Sequence, residues 1–338
     1  MPRWDDVNAR VRGLASHLLP SDKVPELAAA ATLQDLVHRL ERADHRLILD
    51  PGPVTAAAVE AAVRRRAGSQ LRLLGRWCAD RASALVVIFE EEDRRSLGTL
   101  IRGAVAGASP EARLTGTLPT PSLPLRALDE LAHQSSLRTL GALLRIWRSP
   151  YASILQPESF EHPDLLQLEV GLARMFAQRA HQSARRGDRM LQAHVGDVVD
   201  LENTWAALAL AGSGSDLEPS ECFILGGLRI TRSVFERAAT APDTMEASRR
   251  LARAFGPRPL ARALLRGAAR LSQLDDELLA AQLEERRAAA RLDPLSSAPL
   301  LAYALALRAE TRRLGRLVWG VALGLPASVL AVEAAQPA

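Results

Sequence analysis

Lysine is almost absent from this sequence. Lys23 is the only one among 43 basic residues, and the other 42 are arginine. A nucleotide-cradling loop needs glycines for close backbone approach and a lysine for the phosphates. Lys23 stands in no such loop, and Gly212-Ser213-Gly214 and Gly226-Gly227 read as flexible linkers. Cysteine is nearly as scarce. Cys78 and Cys222 form no metal or redox motif and fit small apolar roles in a reducing compartment. The seven histidines (His17, His38, His45, His133, His162, His181 and His194) include no close helical pair and none beside paired cysteines, which argues against zinc. No Gly-x-Ser-x-Gly stands between a strand and a helix. The longest apolar, uncharged run, 317–332, is interrupted by Gly320, Gly324 and Pro326 and is too short to cross a bilayer. The start of the chain lacks a signal-peptide layout. These absences predict a soluble or membrane-peripheral protein with no metal, no cofactor and no small-molecule substrate.

What is present is helical. Of 338 residues, 48% are hydrophobic, enough for a sizeable core, while aromatics make up only 4%. Alanine, leucine and arginine dominate, a composition that favours helix over strand. The length allows two or three domains. The net charge of +4 permits attraction to acidic partners or lipid headgroups without indicating nucleic acid.

One pattern recurs. Asp93, Asp200 and Glu310 stand 107 and 110 residues apart, and each copy then runs through glycine to a proline: Pro110, Pro219 and Pro326. A repeat this long is a duplicated small domain rather than a solenoid unit. Around each acid, apolar residues fall on one helical face. In the first copy these are Val86, Phe89, Leu97, Leu100, Ile101 and Ala104, and in the third Tyr303, Ala306, Leu314, Leu317, Val318 and Val321. The second copy is weaker, with Ala193, Gly196, Thr204, Ala207, Leu208 and Ala211. A carboxylate inside an apolar stripe requires a partner. The expectation is an ion pair with arginine inside a helix bundle; the other reading is an acid held for partner binding.

Along the chain, residues 4–19 read as an opening amphipathic helix, and Thr32 as the N-cap of a helix over 33–40. The run 85–89 has strand-like composition but joins the first stripe without a turn, so it reads as helix. The stretch 103–124, rich in Gly, Pro, Ser and Thr, marks a boundary, and 211–215 starts a second linker. Further helices are expected over 125–147, 162–186, 261–291 and 296–324. The resulting division is 1–115, 116–220 and 221–338, with a small tail at 335–338.

Two charged clusters and three arginine groups remain. Asp275-Asp276-Glu277 could hold magnesium in a helical enzyme, but Leu279 stands where another acid is needed one turn on. That cluster and Glu90-Glu91-Glu92-Asp93 read as solvated faces with one packed acid. Arg64-Arg65-Arg66, Arg185-Arg186 and Arg249-Arg250 read as solvated helix faces or a partner interface. They lack the aromatic interleaving of single-strand binders. An all-α regulatory or nucleic-acid-binding protein using these faces is the alternative function.

Asp200-Leu201-Glu202-Asn203 after Gly196-Asp197-Val198-Val199 resembles a signature of the C subunit (in eukaryotes the d subunit) of V/A-type rotary ATPases. Asn8-Ala9-Arg10-Val11-Arg12 leading to Leu18-Leu19 is similar to that family's first helix. Tyr303, Ala309-Glu310-Thr311-Arg312-Arg313-Leu314 and Gly324-Leu325-Pro326 resemble its end. The family often carries Asn-Leu after its repeated acid; here the pairs are Ser96-Leu97, Asn203-Thr204 and Arg313-Leu314. The resemblance implies an all-α, funnel-like fold of three pseudo-equivalent helical bundles around a pseudo-threefold axis. It implies a non-catalytic central-rotor subunit, one copy per hetero-oligomeric complex, peripheral on the cytoplasmic face of a membrane. Its partners would be the central-stalk subunits and the membrane rotor ring, and its work ATP-linked proton or sodium transport.

Overall fold

The computed structural model describes residues 4–78, 81–156, 160, 163–214 and 217–335. His162, Ser215 and the tail residues Gln336, Pro337 and Ala338 lie outside them. The described residues form helices and connecting segments, with no strand among them. The chain opens with α1 (Asp5–Ala15), α2 (Val24–Ala28) and α3 (Leu33–Arg42). A long pair follows, α4 (Ala56–Trp77) and α5 (Ala82–Val105). Short helices α6 (Pro110–Leu114), α7 (Leu125–Ala132) and α8 (Leu137–Ile146) lead to a second long pair, α9 (Leu165–Ala184) and α10 (Arg189–Leu210). Then come α11 (Pro219–Cys222), α12 (Arg232–Ala239), α13 (Thr244–Phe255) and α14 (Pro259–Gly267), and a third long pair, α15 (Leu271–Leu292) and α16 (Ala298–Ala322). α17 (Ala327–Ala335) is last. The run 85–89 lies inside α5, as its continuity with the stripe predicts. Cys78 and Cys222 are buried free thiols.

Local chemistry sets the boundaries. Thr32 caps α3 by accepting the Asp35 N–H at 3.1 Å. Asp188 caps α10 through Leu191 N–H at 2.9 Å, and its other oxygen accepts Ser297 N–H at 2.7 Å, so one carboxylate serves the starts of α10 and α16. The prolines that close the repeats begin helices: Pro110 opens α6, Pro219 opens α11 and Pro326 precedes α17.

Two expected long helices are each divided. Residues 125–147 form α7 and α8 because Ser136 and Thr139 make a capping box that restarts the helix. Residues 261–291 are divided between α14 and α15, which pack antiparallel with Arg258–Glu285, Arg262–Glu284 and Arg266–Glu277 along their seam. Gly267 permits that reversal: a Cβ there would stand 2.9 Å from Leu274 Cα.

The second helix of each long pair divides its contacts. The first halves of α5, α10 and α16 share a central core, with Val87 and Ile88, Val195 and Val198, and Leu300 and Leu307 packed around Phe176 and Trp4. The distal half of α5 (Leu97, Leu100, Ile101) packs under α6–α8. The distal half of α10 (Leu208, Leu210) packs under α11–α14. The distal half of α16 (Leu314, Leu317, Val318) packs against α2–α4, from the opposite end of the chain. Val86, placed in the first stripe, is 36% exposed; the buried positions there are Leu85, Val87 and Ile88.

Replacing Gly267 by alanine should lower the melting temperature followed by circular dichroism, since a packed backbone cannot yield to the added methyl (about 1–3 kcal/mol of overpacking). Gly13→Ala in α1, where a Cβ would meet nothing within 4 Å, should raise it by the helix preference of alanine, about 0.5–1 kcal/mol.

Candidate functional site

The three repeated acids do one job, and it is not the expected one. None of them forms an ion pair with arginine among the described residues. Each instead grips a segment that crosses its helix. Asp93 of α5 accepts hydrogen bonds from Thr120 Oγ1 and Ser122 Oγ, both at 2.5 Å. Asp200 of α10 accepts three backbone N–H groups, from Leu228, Arg229 and Ile230, at 3.1, 2.9 and 3.0 Å. Glu310 of α16 accepts Leu19 N–H at 2.5 Å, with His45 Nδ1 3.7 Å away. The physical reason is supply: N–H and hydroxyl donors satisfy a buried carboxylate without burying a second charge.

Three positions on from the acid, two of the copies add a second grip. Ser96 Oγ accepts Leu118 N–H at 3.2 Å, and Asn203 exchanges two 2.8 Å bonds with Ile224. The stretch 103–124 is therefore packed where it crosses α5, with Thr117 and Thr120 buried, rather than slack. Gly226-Gly227 is likewise no flexible linker. Gly226 holds φ at +107°, and a Cβ on Gly227 would run into Asp200 Oδ1.

The arginine pairing falls on acids one to three residues from Asp93 and Asp200, and it runs across repeats. Glu90-Glu91-Glu92-Asp93 is no solvated face; all four residues are buried. Arg308 of α16, 5% exposed, places Nε 2.6 Å from Glu92 Oε1 and Nη1 2.8 Å from Glu91 Oε1. Glu91 also meets His194 Nε2 of α10 at 3.1 Å. Against the cost of burial, Arg308 and His194 hold the Glu91 carboxyl well below its ordinary range. Arg94 of α5 makes a fork to Glu202 of α10 at 2.9 and 2.6 Å. Asp197 is shared by Arg258, at 2.8 and 3.1 Å, and Arg286. Asp275-Asp276-Glu277 is spent on arginines as well: Asp275 on Arg312 at 2.6 Å, Asp276 on Arg316, and Glu277 on Arg266 at 2.7 Å.

Beside this charged layer is a cavity of about 340 Å³. Arg94, Arg95 and Arg102 of α5, Glu169 of α9, Glu202 and Trp205 of α10, Asp275 of α15, and Arg308 and Arg312 of α16 reach its wall. Elements of all three sequence repeats thus converge on one crevice, its charged groups interleaved with apolar residues such as Val170, Leu172 and Ile224.

The arginine groups do not form a common site. Arg64 is buried against Glu60 and Leu114 O, which removes it from any surface. Arg65 bonds Ile48 O and Asp50, and Arg66 bonds His45 and His17 O. Arg250 is held by Glu246 and Arg237 O, while Arg185, Arg186 and Arg249 are exposed. The sequence alone assigns no pairing role to Arg308, His194, Asp197, Arg258 or Arg286. A usable signal existed for the first: a lone arginine inside Leu305-Ala306-Leu307-Arg308-Ala309 demands a buried acid.

Residues 7–331 match a protein family described as ATP synthase (C/AC39) subunit. The chain belongs to that family. It is 26% identical over 286 residues to the A-type ATP synthase C subunit of Haloferax volcanii, covering 81% of this chain and 80% of the relative. It is 23% identical over 316 residues to the same-named protein of Pyrococcus horikoshii, covering 91% and 83%. Against that of Methanocaldococcus jannaschii it is 25% identical over 228 residues, 63% of this chain and 55% of the relative. The signature around Asp200 and the end around Glu310, which carry the family resemblance, are in this structure two of the three clamps. No helix among the described residues is long and apolar enough to cross a membrane.

Burial raises all three clamp acids: Asp93 to about 7, Asp200 to about 6 and Glu310 to about 7, against the opposing pull of their donors. The folded state therefore keeps protons that the unfolded chain releases at lower pH. The stability these groups contribute is complete below pH ~4 and is lost as pH rises toward ~7. Asp93→Asn removes one such group and keeps an amide to meet Thr120 and Ser122. Chemical denaturation should show its stability, relative to the unmodified protein, improving by roughly 2–3 kcal/mol from pH 5 to pH 8. A difference independent of pH would refute the raised value.

Proposed function

We propose that this chain is the non-catalytic central-rotor subunit of a V/A-type ATPase. In this reading it couples the central stalk to the membrane rotor ring for ATP-linked proton or sodium transport, one copy per hetero-oligomeric complex, peripheral on the cytoplasmic face. In this reading the repeats 1–115, 116–220 and 221–338 supply three pseudo-equivalent bundles in a funnel around a pseudo-threefold axis, each built on the distal half of α5, α10 or α16 and completed by helices from across a repeat boundary. The observation that carries the reading is the convergence of α5, α10 and α16 on one crevice, cross-tied by Arg308–Glu91, Arg308–Glu92 and Arg94–Glu202.

A coupler has to be stiff, because compliance between its ends weakens transmission. Buried ion pairs between long helices and clamped crossing segments supply that stiffness. The crevice, at about 340 Å³, admits side chains from a stalk tip rather than a whole helix, which is about 10–12 Å across. The charged groups in its wall suit a reversible joint, so stalk binding should weaken as salt rises.

Removing this subunit from the assembled complex should leave ATP hydrolysis by the isolated head intact and abolish ATP-driven ion pumping in vesicles. Pumping that stays fully coupled without it would overturn the assignment.

A further inference from the structure

Arginines in the charged layer have acidic partners. Four arginines around a second opening do not. Arg12 of α1, Arg287 and Arg291 of α15, and Arg313 of α16 line an open cleft of about 1120 Å³, distinct from the crevice beside the charged layer. It lies between α1 with its following turn and the α15–α16 hairpin. None of the four forms an ion pair among the described residues, and the lining holds one carboxylate, Asp22.

The charges are held against their own cost. Arg313 is only 9% exposed, and its Nε is buried without a hydrogen-bond partner. A desolvated guanidinium left in that state is unfavourable unless an anion completes it. Glu310, one turn away, attracts Arg313 without pairing with it: its carboxyl accepts Leu19 N–H and is raised to about 7. Desolvation by the cleft wall, and then neighbouring Arg291, lower the Arg287 pKa although its side chain stays open to solvent. The remaining wall is mixed, with Leu18, Pro299 and Ala302 forming an apolar strip beside Ser16 and Ser21.

We infer that this cleft docks an acidic, amphipathic peptide segment of a partner protein, its carboxylates on the four guanidiniums and its apolar side chains on the Leu18–Pro299 wall. Charge complementarity selects the acid, since planar guanidiniums fit carboxylates in forked pairs. Size and shape select a peptide. A small anion would occupy a fraction of the cleft and leave the apolar strip wet, and a flat bilayer surface cannot reach a buried Arg313. The inference needs only this chain and does not depend on the rotor reading.

The probe is a short fluorescein-labelled peptide of glutamate and leucine, titrated with the full chain at low ionic strength and followed by anisotropy. Saturable binding is expected, weakened at least about tenfold by Arg287→Glu/Arg291→Glu and to an intermediate degree by Arg287→Gln/Arg291→Gln. All four altered positions in the test and its control are exposed, so folding should persist, checked by circular dichroism. The control, Arg185→Glu/Arg186→Glu, should bind as the unmodified chain does. Three results would overturn the inference: no saturable binding, equal loss in the control, or binding that follows Arg287 and Arg291 only with pyrophosphate or phosphatidylglycerol vesicles.

Discussion

Arg308 is the contact on which the rest depends. It sits in the middle of α16 with almost no solvent exposure and faces Glu91 and Glu92 of α5, while Glu91 turns to His194 of α10. Removing one partner from such a cluster leaves an uncompensated buried charge, at a cost of about 3–5 kcal/mol. The cluster therefore fixes how the long helices meet. A purely apolar seam of alanine and leucine could slide by a helical turn; a guanidinium between two carboxylates has one register.

The clamps carry that register outward. Asp93, Asp200 and Glu310 stand near the middle of α5, α10 and α16, where the central core gives way to the flanking helices. Each holds the segment that crosses at that point. For Asp93 and Asp200 the segment follows the acid in sequence; for Glu310 it is the turn after α1, so the start of the chain meets the last long helix. The same closure is seen in the core that joins Leu36, Leu40 and Val63 to Leu314 and Leu317. Ends tied together in this way suit the proposed coupling role, since a load applied to any one bundle is shared by its neighbours.

Much of this was legible in the sequence, and the remainder was hidden for identifiable reasons. Composition named the helical class, and the continuity of 85–89 with its stripe correctly overrode its strand-like residues. The spacing of the three acids pointed to equivalent sites. What periodicity could not supply was their partners. The donors to Asp200 are main-chain N–H groups of Leu228, Arg229 and Ile230, which have no residue signature. Charge sense led to arginine, whereas the arginines pair with the neighbouring Glu91, Glu92 and Asp197. The Glu90–Asp93 run was misjudged because an acidic run on one helix looks solvated until helices bearing Arg179 and Arg308 are placed against it.

The central claim is that the buried charge cluster makes α5, α10 and α16 one mechanical body. Native-state hydrogen exchange at increasing denaturant tests it most directly. The slowest amides of the three helices should converge on a single opening free energy, and Arg308→Leu should split them into separate values. Three distinct opening free energies in the unmodified protein, each shared only with that helix's own flanking helices, would contradict the account.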